Sequence, residues 1–189
     1  MKRLLIGLSS WIIQDGNYPD FEAGKAYDFA LEFYPHVPPI FHTDTAAPSL
    51  ISLGDALYDA TGSVIFGSED AWIVDFGVPA FREEHAPAAA AVGTSVKSRI
   101  YLGVDPFFYF ERLSRIFGMP KIAHNWFVHG IQLETTPWVE SLDENGRKFR
   151  TRDESRKSYH AVNATDAWKH DGGHGHYLLD CEMRGAVVA

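Results

Sequence analysis

Two alternating runs in the middle of the chain restrict its fold more than any other feature. Val64 and Phe66 share one face before Gly67-Ser68-Glu69-Asp70, and Trp72, Val74 and Phe76 share one face after it. Apolar alternation on both sides of a short polar turn predicts an antiparallel hairpin. Beyond a Pro/Ala-rich loop, Val96, Ser98, Ile100, Leu102 and Val104 alternate with Lys97, Arg99, Tyr101 and Gly103. A two-residue period sends one set to a core and the other toward water, so this stretch is a half-buried strand. Together the runs place the middle of a β-barrel between Ala56 and Leu113.

The flanks extend the same reading. Arg3 to Ile13 is almost continuously apolar and is expected to form one central strand. Tyr27, Phe29, Leu31 and Phe33 alternate with Ala26, Asp28, Ala30 and Glu32, which predicts another. Tyr34 to Ile51 carries Pro35, Pro38, Pro39 and Pro48 and reads as a long loop or an edge crossing. Residues 105–118 are ambiguous. Asp105-Pro106 resembles a helix start and Gly118 with Pro120 a stop, while the aromatic run PFFYF favours a strand. Asn125 to Thr135 is a strand, 141–158 a charged exposed loop, and Tyr159–Trp168 with Gly175–Met183 a closing hairpin around residues 170–173.

The predicted fold class is mainly β: an antiparallel β-barrel, OB-like or a related small barrel, with at most one or two short helices. Residues 1–189 are expected to form a single barrel domain, with 159–189 as the one candidate for an appended hairpin beyond loop 141–158.

Composition bounds the function. A formal charge of -8 disfavours nucleic acid, whose phosphates are bound mainly by Lys and Arg. The basic run Arg147, Lys148, Arg150, Arg152, Arg156 and Lys157 is interleaved with Asp153 and Glu154 and reads as a solvated loop. Lys2 and Arg3 before Leu4–Leu8 imitate a signal peptide, but no A-x-A-like site follows, and no segment has the ~18 apolar residues a spanning helix needs. A lone Cys181 fits a reducing compartment, so the expected location is cytoplasmic and no membrane partner is expected. Aromatic residues make up 14% of the chain, enough either to fill a core or to line a cavity; Trp72, Tyr109, Trp126 and Trp168 are the candidates for ligand contact.

The segment KHDGGHGHYLLDCE holds the densest chemistry. His174 and His176 project from one face of a strand and His170 lies across the turn, so the three imidazoles are candidate ligands for zinc or a similar divalent metal. The order of His174, His176 and Glu182 resembles the H-x-H and downstream Glu of the cupin barrels, although the gap before Glu182 departs from that pattern and no second motif follows. The competing reading makes His174, His176, Asp180 and Glu182 the wet face of a strand whose other face is core. No G-x-S-x-G elbow is present, and Cys181 falls on an apolar face where a thiol is usually inert.

The expected function is therefore a non-enzymatic β-barrel that binds a small apolar ligand or a protein partner without a cofactor, compatible with a homo-oligomer. The alternative is a metal-dependent enzyme using the C-terminal histidines.

Overall fold

A computed structural model describes residues 2–44 and 46–186. In chain order the elements are β1 (Arg3–Ser9), α1 (Ser10–Gln14), β2 (Ala26–Phe29), β3 (Leu31–Pro35), β4 (Ile40–His42), β5 (Ser49–Gly54) and β6 (Leu57–Gly67). They continue with β7 (Trp72–Asp75), β8 (Pro79–Arg82), β9 (Ser95–Val104), α2 (Phe108–Glu111), β10 (His124–Glu134), β11 (Trp138–Leu142), β12 (Lys148–Arg152), β13 (Tyr159–Val162) and β14 (His176–Ala186). The chain is mainly β, as its alternation predicts.

Five strands close a barrel in the order β9-β3-β8-β7-β6 and back to β9. The β6–β7 hairpin forms about its predicted turn, with Gly67 opposite Trp72 and Val64 opposite Val74. The ring is mixed in direction rather than strictly antiparallel, because β3 runs parallel to β8. Inside it Phe33 meets Trp72 edge to face at 4.9 Å and Phe76 at 5.5 Å. Each ring so buried contributes roughly 1.5–3 kcal/mol relative to exposure.

The remaining strands form an extension joined to the barrel through β1. There β14 lies between β10 and β1, β13 and β2 pair with β10, and β1 touches β9 in parallel at Gly7 and Gly103. A second apolar cluster, with Ile73, Phe81, Tyr109, Leu113 and Ile122, sits on the outside of the barrel under α2.

Several local expectations are corrected. The first strand stops at Ser9 rather than Ile13, and α1 turns the chain so that Ile12 and Ile13 are buried while Trp11 is left outside. Ser10 Oγ donates to Gly175 O at 2.9 Å, which fixes that corner against β14. The alternating run 27–33 is two strands. It breaks at Ala30, whose carbonyl accepts from Asp105 N at 3.1 Å, and the chain passes there from β10 to the barrel.

The proline-rich stretch holds β4 and the start of β5, short edge strands with exposed residues that need no apolar period. Residues 105–118 contain helix: the Asp105 carboxylate accepts the backbone N–H groups of Phe108 at 2.9 Å and Tyr109 at 3.1 Å, starting α2 after Phe107 takes a φ of 79°. The charged loop 141–158 holds β12 and the end of β11, which pair as a small separate sheet. The predicted closing hairpin does not form. Its two strands pair with other partners because β13 adds to one side of β10 and β14 to the other.

Candidate functional site

The four aromatic candidates for ligand contact lie apart. Trp72 fills the barrel and Trp126 stacks on Phe29 at 5.6 Å, with its Nε1 donating to Phe29 O at 3.2 Å; both are fully buried. Tyr109 is buried under α2, where its hydroxyl donates to Pro120 O at 3.1 Å and accepts from Ile122 N at 3.2 Å. Trp168 is 69% exposed. None of the four lines the cleft described next.

The histidines are also spread out. His170 Nδ1 lies 3.0 Å from the Tyr177 hydroxyl and accepts from Asp166 N at 3.2 Å. His174 is exposed at the end of the 3-10 turn, while His176 begins β14 and faces Ser9. Glu182, six residues along β14, pairs with His129 at 2.9 Å. Among the described residues no three His, Cys, Asp or Glu side chains are grouped to hold a metal ion.

Chemistry gathers instead where β1 joins the barrel to its extension. Two adjoining cavities of about 270 and 320 Å³ share Ser9 and Tyr101. One is walled by Gly7, Trp11, Tyr34 and Gly103; the other by Asp55, Glu134, Lys157, Tyr159 and His176. Strand geometry explains the composition. Leu5, Gly7 and Ser9 share one face of β1, opposite the core residues Leu4, Ile6 and Leu8. On β9, Tyr101 and Gly103 share the corresponding face.

Gly7 is the position on which the cleft depends. A Cβ there would overlap the Tyr101 hydroxyl, so the bare backbone lets that ring lie across β1. A Cβ at Gly103 would come into van der Waals contact with Tyr34 at 3.5 Å and Tyr101 at 3.6 Å, so both rings pack close over this glycine. Their rings stand 6.2 Å apart at 56°.

Buried charge holds Tyr34 in place. Its hydroxyl donates to Glu32 Oε2 at 2.5 Å, and Arg82 contacts Glu32 Oε1 at 3.3 Å and lies 5.0 Å over the Tyr34 ring. Burial raises the Glu32 pKa, against the pull of Tyr34 and Arg82. Asp105 behind it is fully buried, and that burial pushes its pKa up to about 7.

At the polar end, His176 Nδ1 lies 3.2 Å from Ser9 Oγ. His176 retains a solvent-accessible side, but the cleft walls crowd the ring; desolvation lowers its pKa, with Glu134 and Asp171 opposing and Arg152 and His174 assisting. That shift favours the uncharged imidazole. Burial pushes the Tyr101 phenol up to about 12, so it remains a protonated donor, and none of the hydrogen bonds among the described residues engages it.

Burial works against the Lys157 charge, yet Asp55 at 3.2 Å and Glu154 at 3.4 Å hold its pKa above the ordinary value. Asp55 is delivered by the β5–β6 turn, where Asp55 and Ala56 have φ of 53° and 60°. Two non-glycine residues in the left-handed region cost roughly 1 kcal/mol or more each, a strain that the rest of the fold offsets.

Behind this wall, Arg152 donates to Asp171 Oδ2 at 2.5 Å and Thr136 O at 2.6 Å, and stacks 4.3 Å over Trp138. Glu134 Oε1 is buried without a hydrogen-bond partner, 4.0 Å from Arg152 Nε.

Comparison with known proteins returns nothing: no family model, curated protein or solved structure matches the chain.

Of the cleft residues, sequence reasoning singled out only His176 as a site candidate. Gly7, Ser9, Tyr34, Tyr101, Gly103 and Glu134 are not among the candidates, and Lys157 enters only as part of a solvated basic loop. One signal was available: Gly7 and Gly103 interrupt strand patterns, and glycine inside a strand often marks close approach of a ligand or another group. Among the described residues no helix is long and apolar enough to cross a membrane.

Proposed function

We propose that this protein is a β-barrel that binds a small molecule in the cleft over Gly7 and Gly103. One observation carries the reading: a cavity of about 320 Å³, bounded by Gly7, Gly103, Tyr34 and Trp11, borders a Tyr101 hydroxyl that no described residue engages. Cavities of this size suit a small ligand with an apolar body and a few polar groups. The wall formed by Tyr34 and Trp11 favours a flat ring, and Ser9, Tyr101 and His176 favour a carbonyl or hydroxyl at its end. The expected ligand is therefore partly polar, not the wholly apolar one that aromatic content alone suggests. A reducing compartment such as the cytoplasm fits the single buried Cys181.

Thermal-shift titration with small aromatic ketones and carboxamides tests the proposal, since a ligand that binds only the folded state raises the melting midpoint with concentration. Acetophenone and benzamide analogues should do so for the parent protein, and Gly7→Ala should abolish the shift. If no compound shifts the parent, or Gly7→Ala responds as the parent does, the cleft is not the binding site.

A further inference from the structure

Ser9 and His176 face each other as a cross-strand pair on β1 and β14, with Oγ and Nδ1 3.2 Å apart and 167 residues between them in sequence. Both line the polar cavity, and Ser9 also lines its neighbour. We propose that this pair is a nucleophile and its general base, making the cleft a site of ester hydrolysis. The inference rests on the cleft being the ligand site and adds a reaction to it.

The geometry supplies each part of an acyl transfer. A serine hydroxyl is a weak nucleophile until a neighbouring base takes its proton, and an uncharged imidazole within hydrogen-bond reach is such a base. Glu134 on β10 and Asp171 in the turn before β14 favour the imidazolium formed during attack, whereas Arg152 and His174 oppose it. Lys157 with Asp55, and Tyr101, Tyr159 and Tyr177, complete the ionisable residues lining that cavity.

An oxyanion donor is also in place. Tyr101 sets its hydroxyl over Gly7, and Ser9 follows two residues later on the same face of β1. Two strand residues span roughly 7 Å. That separation accommodates a carbonyl whose carbon sits ~3 Å from Ser9 Oγ and whose oxygen accepts from the phenol at ~2.8 Å. The cavity lined by Trp11, Tyr34 and Gly103 leaves room for the acyl or aryl group.

The step balances without a further cofactor. Ser9 Oγ bonds to the ester carbonyl carbon as its proton passes to His176, and the carbonyl oxygen becomes an oxyanion held by Tyr101. The oxyanion collapses, the bond to the leaving oxygen breaks, and His176 returns the proton to the departing alcohol. Water then attacks the acyl-serine, with His176 taking and returning one proton, so that carboxylic acid and free Ser9 result.

Labelling with diisopropyl fluorophosphate, read by intact mass and peptide mapping, tests the proposal alongside p-nitrophenyl acetate hydrolysis. One adduct at Ser9 is expected, formed at least tenfold more slowly in His176→Gln, and hydrolysis in the presence of EDTA should equal that in its absence. Tyr101→Phe should lower kcat at least tenfold with KM changed less than twofold. Circular dichroism melting of Ser9→Ala, His176→Gln and Tyr101→Phe checks that each is folded.

A folded protein that binds acetophenone but gains no adduct at Ser9 overturns the proposal and leaves ligand binding standing. Labelling at Ser9 that His176→Gln does not slow overturns the base assignment. Absence of both labelling and acetophenone binding removes both readings.

Discussion

Gly7 and Gly103 meet as the parallel pair that joins β1 to β9, and neither places a side chain between the strands and the tyrosines above them. The barrel and its extension are thus connected at the point where the backbone is barest. That junction is also where Ser9, Tyr101, Tyr34 and His176 converge.

Replacing Gly7 with alanine should be costly in its own right. The new methyl group displaces the Tyr101 hydroxyl, and overpacking of this kind typically costs about 1–3 kcal/mol. Chemical denaturation of Gly7→Ala should show that loss without any ligand present. Unchanged stability would mean that Tyr101 is free to move aside.

Tyr58 provides a second link between barrel and extension. Its hydroxyl accepts from Leu5 N at 2.8 Å and donates to Leu5 O at 3.0 Å, closing both backbone bonds of that residue in β1. Tyr58→Phe leaves both groups without that partner and should cost about 1–3 kcal/mol. A denaturation midpoint equal to the parent's would show that water replaces the phenol at no cost.

Asp105 should make stability fall as pH rises. Its folded pKa of about 7 lies above the ordinary 3.8, so between those values the folded state keeps a proton that the unfolded state has released. The stabilising proton is fully retained below pH 3.8, its contribution shrinks as pH climbs, and the loss is complete above 7. The gap corresponds to roughly 4 kcal/mol at most. The difference in stability between parent and Asp105→Asn should therefore change across that window. Parallel curves from pH 4 to 7 would contradict the assignment.

Surface and core tryptophans should separate sharply. Trp168 is 69% exposed and Trp126 fully buried. Trp168→Ala should shift stability by no more than about 0.5 kcal/mol, and Trp126→Ala should cost about 3–5 kcal/mol. Similar losses for the two would refute the placement of one of them.

Much of the barrel was legible because its strands are half-buried. Val64, Trp72, Val74 and Ile100 sit in core while their neighbours meet water or a second layer, and that difference is written as a two-residue period. The period fails where both faces are covered. Ala30 and Glu32 are as buried as Phe29 and Leu31, so the alternation around them says nothing of the break at Ala30. It fails also at edges such as β4, where exposure removes the need for a pattern.

Beyond the β6–β7 hairpin, pairing was not legible. Tyr159–Val162 and His176–Ala186 look like hairpin mates because they are neighbours in sequence, yet β10 lies between them in space. The cleft was hidden for the same reason: Ser9, Tyr101 and His176 come from three strands far apart in the chain, and no local spacing can announce them.

The central claim, that the cleft over Gly7 and Gly103 holds a small ligand, is tested most directly by a crystal structure of the protein soaked with acetophenone. The account predicts the ring between Tyr34 and Trp11, with the carbonyl oxygen about 2.7–3.1 Å from the Tyr101 hydroxyl. Acetophenone found only outside this cleft, or an empty cleft at saturating concentration, would contradict it.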